Sequence, residues 1–436
     1  MNYKIYVNSK IQKAIIVRIE DMKIFKINYK AAIKLYNESE EQINQLLSNY
    51  DVRKENSQIK MGELKHLRLI MINGCNLNCK YCYANCGDYD KESKYLDEQS
   101  LIKIIDRVFL EYNIIDELSF FGGEPLLNKK GITTVCDYIS KKGYNVRNFS
   151  MVTNGTLIDE QISEYIKKYD IKTVISIDGD KEIHDYQRPT KNNSPTYDTI
   201  VNGISLLTSK GVEIASIEST YTRIHENSNI TVNQLKNTLI QTFNVRDVNV
   251  VPVVTDNPEF KLKNEIKNSK NSFEKAFYEL ETNKTINHKL IRYLSVIFSK
   301  VKDESCLYCN AGLSQFTIFT DGTVYPCQMF IGNDDFSLGN IYDEDFHFKK
   351  YNKNLLGTNK NNDADCKKCE VYHFCQSCIG ENYEKNHTLS PKSEDFCRQL
   401  KNEINSFFEV FIRYIYDEEH LHKLINIIKE IGDLYA

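Results

Sequence analysis

The sequence is short of several things, and each shortage removes a class of protein. No apolar run approaches the ~20 residues that a bilayer-crossing helix needs, so no membrane span is expected. The opening stretch MNYKIYVNSKIQKAIIV has neither a long uninterrupted apolar core nor a small-residue cleavage site, which argues against a secretory signal. Basic charge is not in excess: 56 Lys and Arg stand against 60 Asp and Glu, for a net charge of −4. No global field therefore draws the chain to nucleic acid or acidic lipid. Internal repeats and low-complexity tracts are missing as well. With 41% hydrophobic and 27% charged residues, wholesale disorder is excluded. The 436 residues are too many for one small core. At ~150 residues per domain, two to four domains are expected, in a cytoplasmic protein.

Cysteine is what the chain does have. Its 13 cysteines are odd in number and clustered. In a compartment that keeps thiols reduced, such clusters read as metal or redox sites rather than disulfide staples. Cys75, Cys79, Cys82 and Cys86 form one group. Cys306, Cys309, Cys327, Cys366, Cys369, Cys375, Cys378 and Cys397 form the other, and Cys136 stands alone.

Periodicity divides the chain. Residues 1–58 carry three short β-rich segments, Tyr3–Val7, Ala14–Ile19 and Met22–Ile27, with turn-like breaks between them. Helical spacing follows over Ala31–Tyr36 and Glu41–Leu47, so a small winged-helix-like module is expected. Over 64–255 the pattern changes to alternation. Strands are predicted at Leu67–Ile72, Glu117–Phe121, Asn148–Val152, Thr173–Ile177, Glu213–Tyr221 and Val248–Val253. Helices such as Asp97–Phe109, Lys130–Lys141, Asp159–Lys168 and Tyr197–Ser209 lie between them. This predicts an α/β fold, a parallel sheet or partial barrel with ligand sites at the carboxyl ends of its strands. Residues 256–302 read as a polar helical connector, 303–400 as a cysteine-rich domain, and 401–436 as one or two closing helices.

The first cysteine group falls at the end of the first alternating strand, as Cys75-Asn-Leu-Asn-Cys79-Lys-Tyr-Cys82-Tyr. Three thiolates on one loop can wrap a zinc ion, with Cys86 as the fourth ligand. They can also hold a 4Fe–4S cluster with one iron left open. The spacing, with an aromatic just before the third cysteine, resembles the signature of radical S-adenosylmethionine (SAM) enzymes. The resemblance extends over about residues 64–255 and implies that family's partial (β/α)6 TIM barrel. It implies that Cys75, Cys79 and Cys82 hold a cluster whose open iron chelates the amino and carboxylate groups of SAM. Reductive cleavage then yields a 5′-deoxyadenosyl radical that abstracts hydrogen, while the protein binds, orients and shields.

Further motifs stand at the next strand ends, in the family's order. Gly122-Gly123-Glu124-Pro125 alone would be a tight turn before a helix. By resemblance its glycine backbone and Glu124 meet the methionine amino group. Asn154-Gly155 turns the chain or reaches the ribose. Ser176-Ile177-Asp178-Gly179 ends the fourth strand, and Arg188 follows. The resemblance assigns Ser176 to SAM and Arg188 to its carboxylate, a pairing that suits a guanidinium fork. Tyr81 and Tyr83 would flank the adenine and the cluster; as isolated aromatics they would be core.

The second group reads Cys309, then Gly322 and Cys327, then Cys366-x2-Cys369-x5-Cys375-x2-Cys378, and finally Cys397. By themselves the two close pairs between 366 and 378 also fit a two-zinc ribbon. Asp321-Gly-Thr-Val-Tyr-Pro-Cys327 reads as a hairpin turn and short strand carrying a thiolate. The arrangement closely resembles the SPASM domain, which houses two auxiliary 4Fe–4S clusters. The resemblance implies a first auxiliary set of Cys309, Cys327 and Cys378, with Cys306 as candidate fourth ligand. It implies a second set of Cys366, Cys369, Cys375 and Cys397. Three clusters in all follow, with an electron donor such as flavodoxin or ferredoxin. One departure stands out: the family usually has three residues between its last pair, and here only Gln376 and Ser377 separate Cys375 from Cys378. Were Cys306 not a ligand, one auxiliary iron would be open to a substrate thiolate. Cys136 is left as a small buried hydrophobe and Cys86 as a loop cysteine.

Two subfamilies compete. Anaerobic sulfatase maturases oxidise Cys or Ser to formylglycine and carry an Asp straight after the Tyr-Pro-Cys run. Here Gln328 follows Cys327, and Gln takes up no proton at neutral pH. Their three-cysteine loop also lies near the N-terminus, whereas Cys75 sits behind an extra module. Maturases of ribosomally made peptides often begin with a winged-helix-like domain that pairs a leader peptide onto a sheet edge. Residues 1–58 resemble that domain in order of elements; the alternative is a structural cap. The expected activity is therefore that of an oxidoreductase of sactisynthase or ranthipeptide type. It would install thioether links, from Cys sulfur to carbon, in a leader-bearing precursor peptide. The remaining alternative, a non-enzymatic iron–sulfur or zinc protein, has no use for Gly122–Pro125, Ser176 or Arg188.

Overall fold

The computed structural model describes residues 3–35, 43, 62–89, 92–263, 272–283, 285–298, 306–348 and 353–435. In chain order the elements begin with β1 (Tyr3–Asn8), β2 (Lys13–Arg18), β3 (Lys23–Asn28) and α1 (Tyr29–Leu35). Then come β4 (Glu63–Ile70), α2 (Glu98–Glu111), β5 (Ile114–Phe121), α3 (Lys129–Lys142), β6 (Asn145–Thr153) and α4 (Glu160–Lys168). They continue as β7 (Lys172–Ser176), α5 (Lys181–Gln187), α6 (Tyr197–Ser209), β8 (Ser216–Tyr221), α7 (Arg223–Asn227), α8 (Val232–Phe243) and β9 (Val248–Pro252). After α9 (Ser272–Asn283) and α10 (His288–Phe298) follow β10 (Gln315–Ile318), β11 (Thr323–Tyr325) and β12 (Gly339–Asn340). The last elements are α11 (Ala364–Lys367), α12 (Ile379–Asn386), α13 (Glu394–Ile415) and α14 (Glu418–Tyr435). They sort into two compact units, one of residues 61–267 and 311–352, the other of 1–60, 268–310 and 353–435.

The first unit is a mixed α/β fold around a central parallel sheet. Strands β4 to β9 lie side by side in chain order and all run parallel. Parallel neighbours need a crossover, and the intervening helices supply it. Beyond β4, β10 adds in parallel with Phe316 opposite Leu67, and β11 and β12 follow antiparallel. Leu67, Leu69, Leu118 and Phe120 are fully buried, while the alternating His66, Arg68 and Glu117 are partly exposed. That period of two gives the sheet one apolar and one polar side. Helix starts are set by acidic N-caps: Asp97, Asp159 and Asp180 accept from the backbone N–H of Ser100, Ile162 and Ile183.

The second unit draws on both ends of the chain. In the antiparallel sheet β1–β2–β3, Ala14–Arg18 of the central strand is buried throughout, a continuous run rather than an alternation. One face packs Ile5, Ala14, Ile16 and Phe25 with Ala32 and Ile43. Of the helix expected over Glu41–Leu47, only Ile43 is among the described residues, helical and buried. The other face packs Tyr6, Ile15, Val17 and Met22 with helices from far along the chain. Tyr6 stacks on Phe408 of α13 at 4.0 Å between ring centroids. Asn8 Nδ2 donates to Glu409 O at 2.6 Å, and the Tyr416 hydroxyl donates to Ala14 O at 2.8 Å. The stretch that composition marks as a polar connector hides an apolar stripe. Helix α9 buries Phe273, Ala276, Phe277 and Leu280, at i, i+3, i+4 and i+7, and so joins the core of α10, α13 and α14. Residues 264–271, 284 and 299–305 of the connector and its edge lie outside the described residues. Among the described residues, no helix is long and apolar enough to cross a membrane.

Candidate functional site

Strand β4 delivers the three-cysteine loop, and neighbouring segments hold it from several sides. Gly123 N donates to Ile72 O and Glu124 N to Gly74 O, both at 3.0 Å. Only glycine permits that approach. A Cβ on Gly123 would stand 2.1 Å from Gly74 O, and one on Gly122, at φ +144°, 2.4 Å from Ile72 O. Asn73, fully buried, accepts from Lys94 N at 2.7 Å and from the Thr320 hydroxyl at 3.0 Å. Further along, Asn78 N donates to Pro189 O at 2.8 Å and Lys80 N to Gln187 O at 3.0 Å. These bonds stitch the loop to the Arg188 segment.

Glu124 is buried at the back of this loop and fully engaged. Its Oε1 accepts from Leu126 N at 3.0 Å and the Thr153 hydroxyl at 2.6 Å, and its Oε2 from Asn154 N at 2.7 Å. Burial pushes the carboxyl up to about 7 against those three donors. Asn154 in turn grips the loop: its Nδ2 donates to Asn76 Oδ1 at 2.9 Å and points at Cys75 Sγ, 3.7 Å away. Leu77 N also donates to Cys75 Sγ, at 3.4 Å. Burial pushes the Cys75 thiol up to about 11, and the Cys79 thiol up to about 12 although Arg188 pulls it down. Such thiols ionise at neutral pH only with a metal to bind.

Arg188 is anchored by an acid. Its Nε donates to Asp178 Oδ2 at 2.9 Å, and the guanidinium lies 5.5 Å from the Tyr81 ring centroid. Asp178, fully buried, also accepts from the Tyr81 hydroxyl, from Thr220 N at 2.9 Å and from Gln187 Nε2 at 3.3 Å. Burial would raise this carboxyl, but the guanidinium and its hydrogen bond outweigh burial and hold it below the usual carboxylate range. Cys79, Tyr81, Asp178 and Arg188 thus act on one another electrostatically, and Cys75, Cys79 and Cys82 do the same.

The other expected residues are placed as follows. Ser176 ends β7 and is buried. Tyr83 is half exposed, edge-on to Tyr89. Cys86 donates its thiol to Asn78 Oδ1 at 3.1 Å, and Cys136 is fully buried in α3. Gln328, straight after Cys327, accepts from Arg68 of β4, whose guanidinium lies 5.0 Å from the Phe121 ring. Cys366, Cys369, Cys375 and Cys397 line a single cavity with Lys360 and Tyr308. Cys309 and Cys378 are in electrostatic reach of each other, and burial pushes the Cys378 thiol up although the first N–H groups of α12 pull the other way. Cys306 acts on Lys360 and Tyr372, which line the cavity of the second set. Cys327 belongs to the sheet-bearing unit, and Cys309 and Cys378 to the other.

Sequence reasoning missed Asp178, Asn73, Thr153 and Lys360. Asp178 alone had a visible signal, an acid two residues past a strand end and ten before an arginine. The donor set is chemically that of four-iron clusters: all thiols, with N–H groups of Leu77 and Asn154 aimed at Cys75 Sγ. Among the described residues, no three His, Cys, Asp or Glu side chains converge as ligands of one metal ion do. The irons of a cluster occupy separate corners and do not require that convergence.

Comparison with known proteins agrees with this geometry. Residues 69–229 match the radical SAM superfamily, and residues 309–378 match an iron–sulfur cluster-binding domain, SPASM. The chain is 28% identical over 357 residues to the cysteine-type anaerobic sulfatase-maturating enzyme of Clostridium novyi, covering 77% of this chain and 91% of that one. It is 26% identical over 387 residues to the radical SAM cyclopropyl synthase TigE of Paramaledivibacter caminithermalis, covering 83% and 78%. In fold it resembles native anSMEcpe with bound AdoMet and Cp18Cys peptide, with a TM-score of 0.57 at 22% identity over 85% of this chain and 99% of that one.

Proposed function

We propose that this chain, which is a radical SAM enzyme with a SPASM domain, modifies a ribosomally made peptide by joining a cysteine sulfur to a carbon. When bound, a cluster on Cys75, Cys79 and Cys82 together with SAM supplies hydrogen-atom abstraction. The chain's own residues do the rest. Asp178 fixes Arg188 beside Cys79, where a guanidinium suits the SAM carboxylate. Glu124 and Asn154 fix the loop that carries Cys75. Tyr81, Tyr83 and Ser176 would remain for the adenosyl group, at the partial barrel that the resemblance implies. By the resemblance, Cys366, Cys369, Cys375 and Cys397 would hold one auxiliary cluster, and Cys309, Cys327 and Cys378 are the thiols assigned to another. Cys306 is the candidate fourth ligand of the latter; were it not a ligand, an iron there would be open to the substrate sulfur.

The observation that carries the thioether reading is Gln328. No carboxylate base follows Cys327, and the amide there is already held by Arg68. A metal-bound thiol needs no such base. The linkage would balance: the carbon gives up a hydrogen atom and the sulfur a proton, and the one electron left over is what auxiliary clusters on those cysteines would be there to accept. The precursor's leader adds a strand to an edge of the sheet β1–β2–β3, whose two outer strands, among the described residues, each pair with β2. A reducing cytoplasm and a flavodoxin- or ferredoxin-type donor keep the thiols and clusters working.

Formylglycine formation is the second reading, favoured by the likeness to the Clostridium novyi enzyme. Mass spectrometry of a cysteine-bearing peptide treated anaerobically with the reconstituted protein tests both. A thioether makes the peptide two hydrogens lighter per link and one cysteine resistant to alkylation. A product that has lost its sulfur sinks the thioether reading.

A further inference from the structure

The second cysteine set has a neighbour that cysteine spacing does not explain. Lys360 is only 1% exposed, although it lies in the polar run Asn359-Lys360-Asn361-Asn362. Its ammonium donates to Tyr372 O at 2.7 Å and to Cys375 O at 2.9 Å. It also lies 4.5 Å from the centroid of the Tyr372 ring. Among the described residues that line this cavity there is no Asp or Glu. The other lysine there, Lys392, is paired outside with Asp363 at 2.6 Å. A lone buried ammonium is costly unless an anion faces it. Here the groups within reach that become anionic on binding metal are cysteine sulfurs: Cys375, Cys306, Cys366 and Cys369 all act on Lys360. The Tyr308 hydroxyl adds a polar contact to Cys366 Sγ at 3.5 Å.

We propose that Lys360 is the counter-ion of the auxiliary cluster held by Cys366, Cys369, Cys375 and Cys397, and that it raises the reduction potential of that cluster. The proposal rests on the ligand reading above. Four thiolates around a four-iron core are anionic, and reduction adds one more negative charge. A fixed cation therefore favours the reduced form, because cluster potential follows net charge and hydrogen bonding around the sulfurs. Lys360 is a positioning residue in this sense: it makes the cluster a better acceptor for the electron that leaves the substrate.

The test uses full-length holoprotein carrying Cys75→Ala, Cys79→Ala and Cys82→Ala, so that only the auxiliary clusters report. Both are titrated by electron paramagnetic resonance against poised dithionite. In Lys360→Gln and Lys360→Met, one cluster should lose at least tenfold in its reduced-to-oxidised ratio at fixed potential, ~59 mV for one electron. The other cluster should not move, and Lys360→Arg should restore the first. Wild-type titration of both clusters in an iron-replete Lys360→Gln protein overturns the proposal. If four irons are lost from the Gln and Met proteins but kept by the Arg protein, the charge is what the cluster needs. Loss in all three makes Lys360 merely structural and overturns the proposal. Cys366→Ala with Cys369→Ala must also remove four irons. If it removes none, the ligand reading itself has failed and the proposal falls with it.

Discussion

The two cysteine-bearing regions follow opposite electrostatic plans. Beside Cys79 the buried cation, Arg188, already has its carboxylate in Asp178, and a second buried carboxyl, Glu124, backs the loop. Beside Cys366 and Cys375 the buried cation, Lys360, lies in a cavity whose lining, among the described residues, holds no carboxylate. The first region is balanced in itself and awaits a ligand that brings charges of both signs, as an amino acid moiety does. The second is unbalanced unless an anion stays in it. The mechanical plans differ too: loop-to-loop backbone bonds hold the first region, whereas Val371 and Phe374 root the second in the helical core.

The sharpest way to break this contrast is to remove each set of thiols. Cys75→Ala with Cys79→Ala and Cys82→Ala should take about twelve irons to about eight and abolish SAM cleavage. Cys366→Ala with Cys369→Ala should cost the same iron yet leave some uncoupled cleavage, read as 5′-deoxyadenosine by chromatography. If the triple variant still cleaves SAM, the two regions have been assigned the wrong way round.

Asp178→Ala strands Arg188 in the interior and should destabilise the fold by ~3–5 kcal/mol in urea titration. Adding Arg188→Met should recover much of that loss. A single-variant effect under about 1 kcal/mol would mean that the pair is solvated. Glu124 gives a smaller, pH-dependent effect in metal-free protein. Its carboxyl lies near 4.5 unfolded and about 7 folded, so between these values the native state binds more protons. Its contribution is complete below pH 4.5 and is lost as pH rises through 7, roughly 3 kcal/mol in all. Glu124→Gln should flatten that slope in thermal melts recorded from pH 4.5 to 8. The smallest effect is expected from Tyr308→Phe, which removes one O–H beside Cys366: about 1 kcal/mol of stability and a smaller fall in cluster potential than Lys360→Gln gives.

Much of the sheet was legible because its signals are local. Strand ends, glycine turns and acidic caps are written in a few adjacent residues, and β4 to β9 fall where alternation puts them. The cysteines were legible because few other chemistries need them at such spacing. Lys360 was not, since a lysine among asparagines looks solvated until Tyr372 and Cys375 close over it. Nor was the use of α9, whose four buried residues are outnumbered by charged and polar ones along the same helix. Asn73 and Thr153 act through hydrogen bonds to segments far away in sequence, which no window of neighbouring residues reveals.

The union of the chain's two ends has a consequence for synthesis. The bond from Asn8 to Glu409 spans 401 residues. At 5–20 residues per second a ribosome needs roughly 20–80 s to bring the second partner out after the first. During that interval the inner face of β1 and β2, with Tyr6, Ile15 and Val17, has no helix to cover it, and it is a natural client surface for a chaperone. Among themselves the strands from Glu63 to Pro252 pair in the order they emerge, and β4 waits for a late partner, β10, on its other side. The cavity of Cys366, Cys369, Cys375 and Cys397 is complete only once the last of these has left the ribosome. On the ligand reading proposed above, iron could be delivered there only after Cys397 has emerged.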